Sequence, residues 1–242
     1  MGLMIDRAGH SEEYEAIALP PAAGGGLTHL GPAVFLRRSA RPSRRAVLHL
    51  HDLTGSFAPA DLARWYNERG FHFYMTDVDT GELQNARRRG SRRQPACFAA
   101  LDAACLHLRE ADGIDAIILS ADGPAAVAAG LWCDARADAG PVGALILSGT
   151  DLGALRGSLD IRCPVLVIAA AADRSDRKDR RDRRGRDAVR LGQHVTWLYL
   201  DPEPGPDAAA GGAGAEQRKR MFDEMGRWLG AYMYGKVRDQ LL

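Results

Sequence analysis

The chain lacks a long apolar run. Its most hydrophobic stretches are strand-length, about six to eight residues, against the roughly 20 that a membrane helix needs. A bilayer-crossing segment is therefore not expected. It also lacks net charge. Its 32 Lys and Arg stand against 31 Asp and Glu, leaving +1, so nothing draws the whole chain to nucleic acid or to an anionic membrane. Cysteine is scarce. Cys97, Cys105, Cys133 and Cys163 are scattered without C-x-x-C spacing, each among apolar neighbours. That is the pattern of reduced, buried thiols in a cytoplasmic protein. Residues 1–15 carry acids and no apolar h-region, so no signal peptide is expected there. No group of His, Cys and acid has metal-ligand spacing, and no Gly-rich phosphate loop follows a strand-like run. Gly24-Gly25-Gly26 precedes one and reads as a turn. Neither metal nor cofactor is expected, and no internal repeat is visible.

What is present is the composition of a globular domain. Of 242 residues, 46% are hydrophobic and 26% charged, enough to bury a core within one α/β domain spanning 1–242. Strand-like runs cover 14–19, 33–38, 46–51, 71–77, 115–120, 142–148, 164–170 and 195–200. Helical spacing covers 59–68, 95–109, 123–135 and 216–234, with Leu62, Trp65 and Tyr66 on the first and Phe98, Leu101, Cys105 and Leu108 on the second. Two antiparallel strands followed by alternating β and α units predict a mostly parallel, doubly wound, eight-stranded sheet. The Arg- and Asp-rich run 173–190 pairs its charges at helical spacing and predicts an exposed ion-paired helix. The stretch 202–215 is rich in Pro, Gly and Ala and reads as a loop.

The run Ala116-Ile117-Ile118-Leu119-Ser120-Ala121-Asp122-Gly123-Pro124-Ala125-Ala126 is a buried strand turning sharply into an Ala-rich helix. With Ala46-Val47-Leu48-His49-Leu50-His51-Asp52-Leu53-Thr54-Gly55-Ser56, with residues 62–74, with Pro164-Val165-Leu166-Val167-Ile168 and with the closing Trp228-Leu229 helix, it resembles the α/β-hydrolase superfamily. Within that superfamily it is similar to the serine-aminopeptidase or lysophospholipase-like branch. The likeness extends over about residues 14–234. It implies an α/β-hydrolase fold in which the strand-to-helix corner presents the nucleophile, usually as G-x-S-x-G. Aligned on the strand, Ser120 takes the first glycine's place, Asp122 the serine's and Pro124 the second glycine's.

Against that resemblance the chemistry departs. A carboxylate stands at the nucleophile's place. The superfamily's His-Gly after the third strand is His51-Asp52, and an acid there opposes a developing negative charge. No histidine follows His194, so the triad's base is missing. The acid position is retained at Asp173. Only residues 149–163 stand where the superfamily usually places a helical lid, which implies no lid: either the pocket is open, or residues 202–215 or a second copy in a homodimer cover it.

These residues allow three readings. In the first, a cofactor-free enzyme of specialised metabolism performs non-hydrolytic acid–base chemistry on a small apolar metabolite: addition, elimination, cyclisation or C–C bond formation. Asp122 is then the base, with its pKa raised by burial and by the acids Asp52 and Asp173. His51 and Asp52 transfer protons or orient, and Leu53 and Gly123 occupy the oxyanion-hole positions by analogy. In the second, the chain is a pseudoenzyme that binds a ligand or a partner, and His51 is structural. In the third, Asp122 attacks carbon as in epoxide hydrolases and haloalkane dehalogenases, whose second step needs a histidine. His49 shares His51's face and reads as core. Asp77 reads as a structural brace, and Arg87 to Arg93 as a solvated basic loop or a clasp for an anionic substrate.

Overall fold

The computed structural model describes residues 14–19, 33–37, 41–51, 59–78, 96–140, 142–149, 158–170, 190–191, 194–200 and 213–239. In chain order they form β1 (Glu15–Ala18), β2 (Ala33–Arg37), β3 (Arg45–His51), α1 (Pro59–Glu68), β4 (His72–Asp77), α2 (Ala96–Glu110), β5 (Ala116–Asp122) and α3 (Gly123–Ala135). Then come β6 (Ala144–Ser148), β7 (Ser158–Leu159), β8 (Val165–Ala170), β9 (Arg190–Leu191), β10 (Val195–Leu200) and α4 (Ala213–Asp239).

Eight strands make one sheet in the order β1-β2-β4-β3-β5-β6-β8-β10. The pairs β1–β2 and β2–β4 are antiparallel; every other neighbour is parallel. The expected opening hairpin and doubly wound sheet are both present. Short β7 and β9 pair separately in parallel. Residues 149–164 alone connect β6 to β8, too short a stretch for a lid domain. The Arg- and Asp-rich run falls outside the described residues except for Arg190 in β9.

Alternation along the parallel strands divides the core in two. Leu48, Leu50, Leu119, Leu145 and Val167 face α2 and α3, where Phe98, Leu101, Leu108 and Trp132 are buried. Val47, Phe73, Ile118, Ile146 and Leu166 face α1 and α4, meeting Leu62, Tyr66, Met225 and Leu229. A fully buried leucine such as Leu48 or Leu119 contributes about 2 kcal/mol by leaving water. Helix α3 lies close against the sheet because its inner residues are Ala125, Ala126, Ala128 and Ala129, none of which is accessible.

Helix α1 shows how a local signal is realised. Pro59 opens it, where a missing N–H costs nothing. Gly70 ends it with φ +77. The Phe71 N–H then reaches the Tyr66 carbonyl and the Gly70 N–H the Asn67 carbonyl, both at 3.0 Å. That reversal needs a left-handed residue, which glycine adopts without Cβ strain. Among the described residues no helix is long and apolar enough to cross a membrane.

Candidate active site

The chain leaves β3 for β4 on one side, then returns across β3 to place β5 on the other. The direction of winding therefore reverses between β3 and β5. In open α/β sheets, ligands bind at such a switch point, outside the carboxyl ends of the strands. There the register pairs His49 with Ser120 and His51 with Asp77, while Asp122 pairs with Ser148 on β6. His49, His51, Ser120 and Asp122 all project to the α1 and α4 face, because strand side chains alternate.

Strand β5 runs two residues beyond the expected Ser120, to Asp122. Asp122 is extended, with φ −121 and ψ 156. The turn itself is made by Gly123, with φ +50. In the nucleophile elbow the strained residue at the apex is the nucleophile. The apex here is Gly123, one position after Asp122, which corrects the alignment made on sequence. The G-x-S-x-G positions become Ala121, Asp122, Gly123, Pro124 and Ala125. The correction has a physical reason: an L residue resists positive φ, so the turn settles on the adjacent glycine.

The shift also removes Gly123 from the oxyanion-hole role. That donor is the N–H of the residue after the apex, and the residue after Gly123 is Pro124, which has none. Across the corner, Gly149 follows β6 with φ +59 and donates its N–H to the Ile168 carbonyl at 3.1 Å. A Cβ on Gly149 would stand 3.7 Å from the Gly123 nitrogen.

An imidazole does approach Asp122, and it is that of His49. Nε2 lies 3.8 Å from Asp122 Oδ1, and the two side chains are 3% and 15% exposed. At that separation the contact is an electrostatic approach rather than a hydrogen bond. Nδ1 of His49 is 3.2 Å from Ser120 Oγ. Burial, with a smaller contribution from His51, pushes the His49 imidazole down to about 3, so it is neutral near pH 7. The tautomer that suits both neighbours carries the proton on Nε2, with the Ser120 hydroxyl donating to Nδ1 and the N–H directed at the carboxylate. The His51 ring sits 6.5 Å from that of His49, and the Phe73 ring 5.7 Å from it. Tyr66, a fully buried residue of α1, completes the polar spot beside Ser120.

Strand register puts Asp122 and His51 at one edge of the sheet, together with His49, read from sequence as core, and Ser120. The i, i+2 spacing of His49 and His51 on one strand face was visible in the sequence; what it did not report is that Asp122 on β5 lies beside His49. Asp52, Leu53 and Asp173 lie outside the described residues, as does the loop holding Arg87 to Arg93. Among the described residues no group of three or more His, Cys, Asp or Glu is placed to hold a metal ion.

With the corner in view, comparison with solved structures is decisive for the architecture. An esterase from Butyrivibrio proteoclasticus, Est1E, superposes with a TM-score of 0.57 at 9% identity, covering 89% of this chain and 99% of that one. The fold is that of the α/β-hydrolases. A Pyrobaculum calidifontis esterase gives 0.57 at 13% identity, over 93% of this chain and 86% of its own. Esterase 2 of Thermogutta terrifontis, in a form phosphonylated by sarin, gives 0.54 at 13%, over 87% and 95%. No protein-family model matches the sequence, and no curated protein is similar to it in sequence. An α/β-hydrolase fold thus persists here at identities of 9–13%, because the hydrophobic pattern and the turn glycines specify it.

Proposed function

We propose that this protein is a small-molecule-binding member of the α/β-hydrolase fold that does not carry out acyl transfer. One observation carries the proposal: the corner's apex is Gly123 and the next residue is Pro124. Glycine offers no nucleophile. Proline offers no N–H to a tetrahedral oxyanion, a donor of a kind worth about 3 to 4 kcal/mol where it has been removed. No histidine follows His194 to act as base. A nucleophile at the apex, an N–H on the residue after it and a histidine after the last strand are each missing from the place where acyl transfer in this fold uses them. The ligand's polar group meets Asp122 at the switch point, where the 15% exposure of the carboxylate leaves one side open.

A second reading, acid–base catalysis without an acyl-enzyme, is favoured by the His49 approach. In it Asp122 takes a proton from the substrate, and the neutral His49 N–H closes on the carboxylate when substrate arrives; such contacts are often long in the empty site. His51, Asp52 and Asp173 tune or relay in that reading. Nucleophilic attack by Asp122 fits less well, since its carboxylate leaves the end of the strand rather than the apex.

Asp122→Asn and Asp122→Ala distinguish the two. Ligands found by thermal shift against a metabolite panel are incubated with the wild type and with each variant. Binding without turnover by the wild type, weakened in both variants, supports the binding protein. Wild-type turnover that falls about a hundredfold or more in Asp122→Asn supports the enzyme. Wild-type hydrolysis of nitrophenyl esters, or labelling of any serine by a phosphonate probe, overturns both.

A further inference from the structure

The two oxygens of Asp122 are not equivalent. Oδ1 is sealed from solvent and faces His49. The 15% exposure of the side chain therefore falls on the rest of the group, on the side of Oδ2. Nε2 of His49, itself buried, has no hydrogen-bond partner and stands 3.8 Å from Oδ1. Nδ1 is engaged by Ser120 Oγ at 3.2 Å, which holds the ring in this orientation. A buried donor left short of an acceptor is costly, and a small inward movement of the carboxylate would satisfy it. The arrangement lies at the switch point, with Ser148 paired to Asp122 on β6 and His51 beside it on β3. The buried imidazole is neutral, so within the pair nothing balances the charge of the carboxylate.

We infer that the ligand of this site carries a primary ammonium group, received by Asp122 Oδ2 alone while His49 keeps Oδ1 on the inner side. The inference rests on the small-molecule-binding reading and names the chemistry of that ligand. An anion would meet the like charge of Asp122. A guanidinium or amidinium reaches full strength only as a fork on both carboxylate oxygens, and Oδ1 is closed to it. A hydroxyl can donate to Oδ2 but leaves the charge of a partly buried carboxylate unmatched. An ammonium is a compact charge that can bond one oxygen, and partial burial strengthens that pairing. His49 is then a positioning residue: its N–H turns one oxygen inward and so presents the other.

Four probes that share one phenyl-ethyl body test this on the whole protein: phenethylamine, phenethyl alcohol, phenethylguanidine and 3-phenylpropionate. Their dissociation constants are read by ligand-observed NMR near pH 7. Phenethylamine should bind at about 10 mM or tighter, and about tenfold or more tighter than each of the other three. Asp122→Asn keeps the shape of the side chain and removes its charge, so it should erase the preference for the amine over the alcohol. Alcohol or propionate binding as tightly as the amine, or a preference that survives Asp122→Asn, overturns the inference and leaves the binding reading standing. Guanidine binding as tightly as the amine overturns the single-oxygen geometry and the inference with it. If none of the four binds while the metabolite panel yields ligands, the inference alone falls; if the panel is also empty, both fall.

Discussion

Nε2 of His49 stands 3.8 Å from Oδ1 of Asp122, and the imidazole is almost wholly buried while the carboxylate keeps one side toward solvent. The pair spans β3 and β5, between which the sheet reverses its winding. It joins a core residue to the acid that ends β5 at the candidate site.

That burial makes a pH dependence. An unfolded-chain histidine titrates near 6.5, and His49 is pushed down to about 3. Between those values the unfolded state binds a proton that the folded state refuses. The contribution of His49 to stability is therefore complete above about pH 6.5 and declines as pH falls toward 3, by at most about 1.4 kcal/mol per pH unit. His49→Gln should remove this component. Urea unfolding of both proteins at pH 7.5 and 4.5 measures it; an unchanged wild-type-minus-variant difference would show that His49 already titrates normally.

The glycine corner gives a prediction of inactivity. Gly123→Ser restores a hydroxyl at the apex, yet Pro124 still lacks the oxyanion donor and no histidine follows. The variant should hydrolyse nitrophenyl esters no faster than the wild type. Measurable gain of esterase activity would mean that some other group serves as base.

Backbone strain at the same glycine can be read alone. A Cβ at Gly123 meets nothing within 4 Å, so Gly123→Ala should cost about 1 kcal/mol through its φ of +50 and nothing through contact. At Gly70, with φ +77, a Cβ would in addition meet an Arg45 guanidinium nitrogen at 3.3 Å. Gly70→Ala should therefore cost at least as much as Gly123→Ala. Chemical denaturation ranks the two, and a neutral Gly123→Ala would remove the argument that glycine is needed at the apex.

Asp102 binds α2 to α3. It accepts from Arg136 Nε at 3.0 Å, from Arg136 Nη2 at 2.6 Å and from the buried Trp132 indole N–H at 3.0 Å. Asp102→Ala strands that N–H and should cost about 1 to 3 kcal/mol. Trp132→Phe in the same background should recover part of the loss, since it deletes the stranded donor. A double-mutant cycle by urea unfolding checks this, and strict additivity would refute the coupling.

Much of the fold was legible in the sequence, for reasons visible in particular residues. Ala116 to Leu119 and Val165 to Ile168 read as strands because an unbroken apolar run of that length needs cover on both faces. Helix α1 matched its expected bounds, 59–68, because Pro59 and Gly70 mark its ends chemically. The end of β5 was misplaced by two residues. Its last hydrogen-bonded partner, Ser148, lies on another strand, and no local signal reports that pairing.

By itself, the sequence determined that the chain builds an α/β sheet with an acid near the carboxyl edge of its central strands, and that no imidazole follows the last of them. Those properties depend on hydrophobic period and on the order of residues. The tertiary structure decided which residue occupies the apex, since positive φ passes to Gly123 only once β5 has paired through Asp122. It also decided that His49 rather than a downstream histidine meets the carboxylate, since two residues 73 positions apart come together only when β3 and β5 lie side by side.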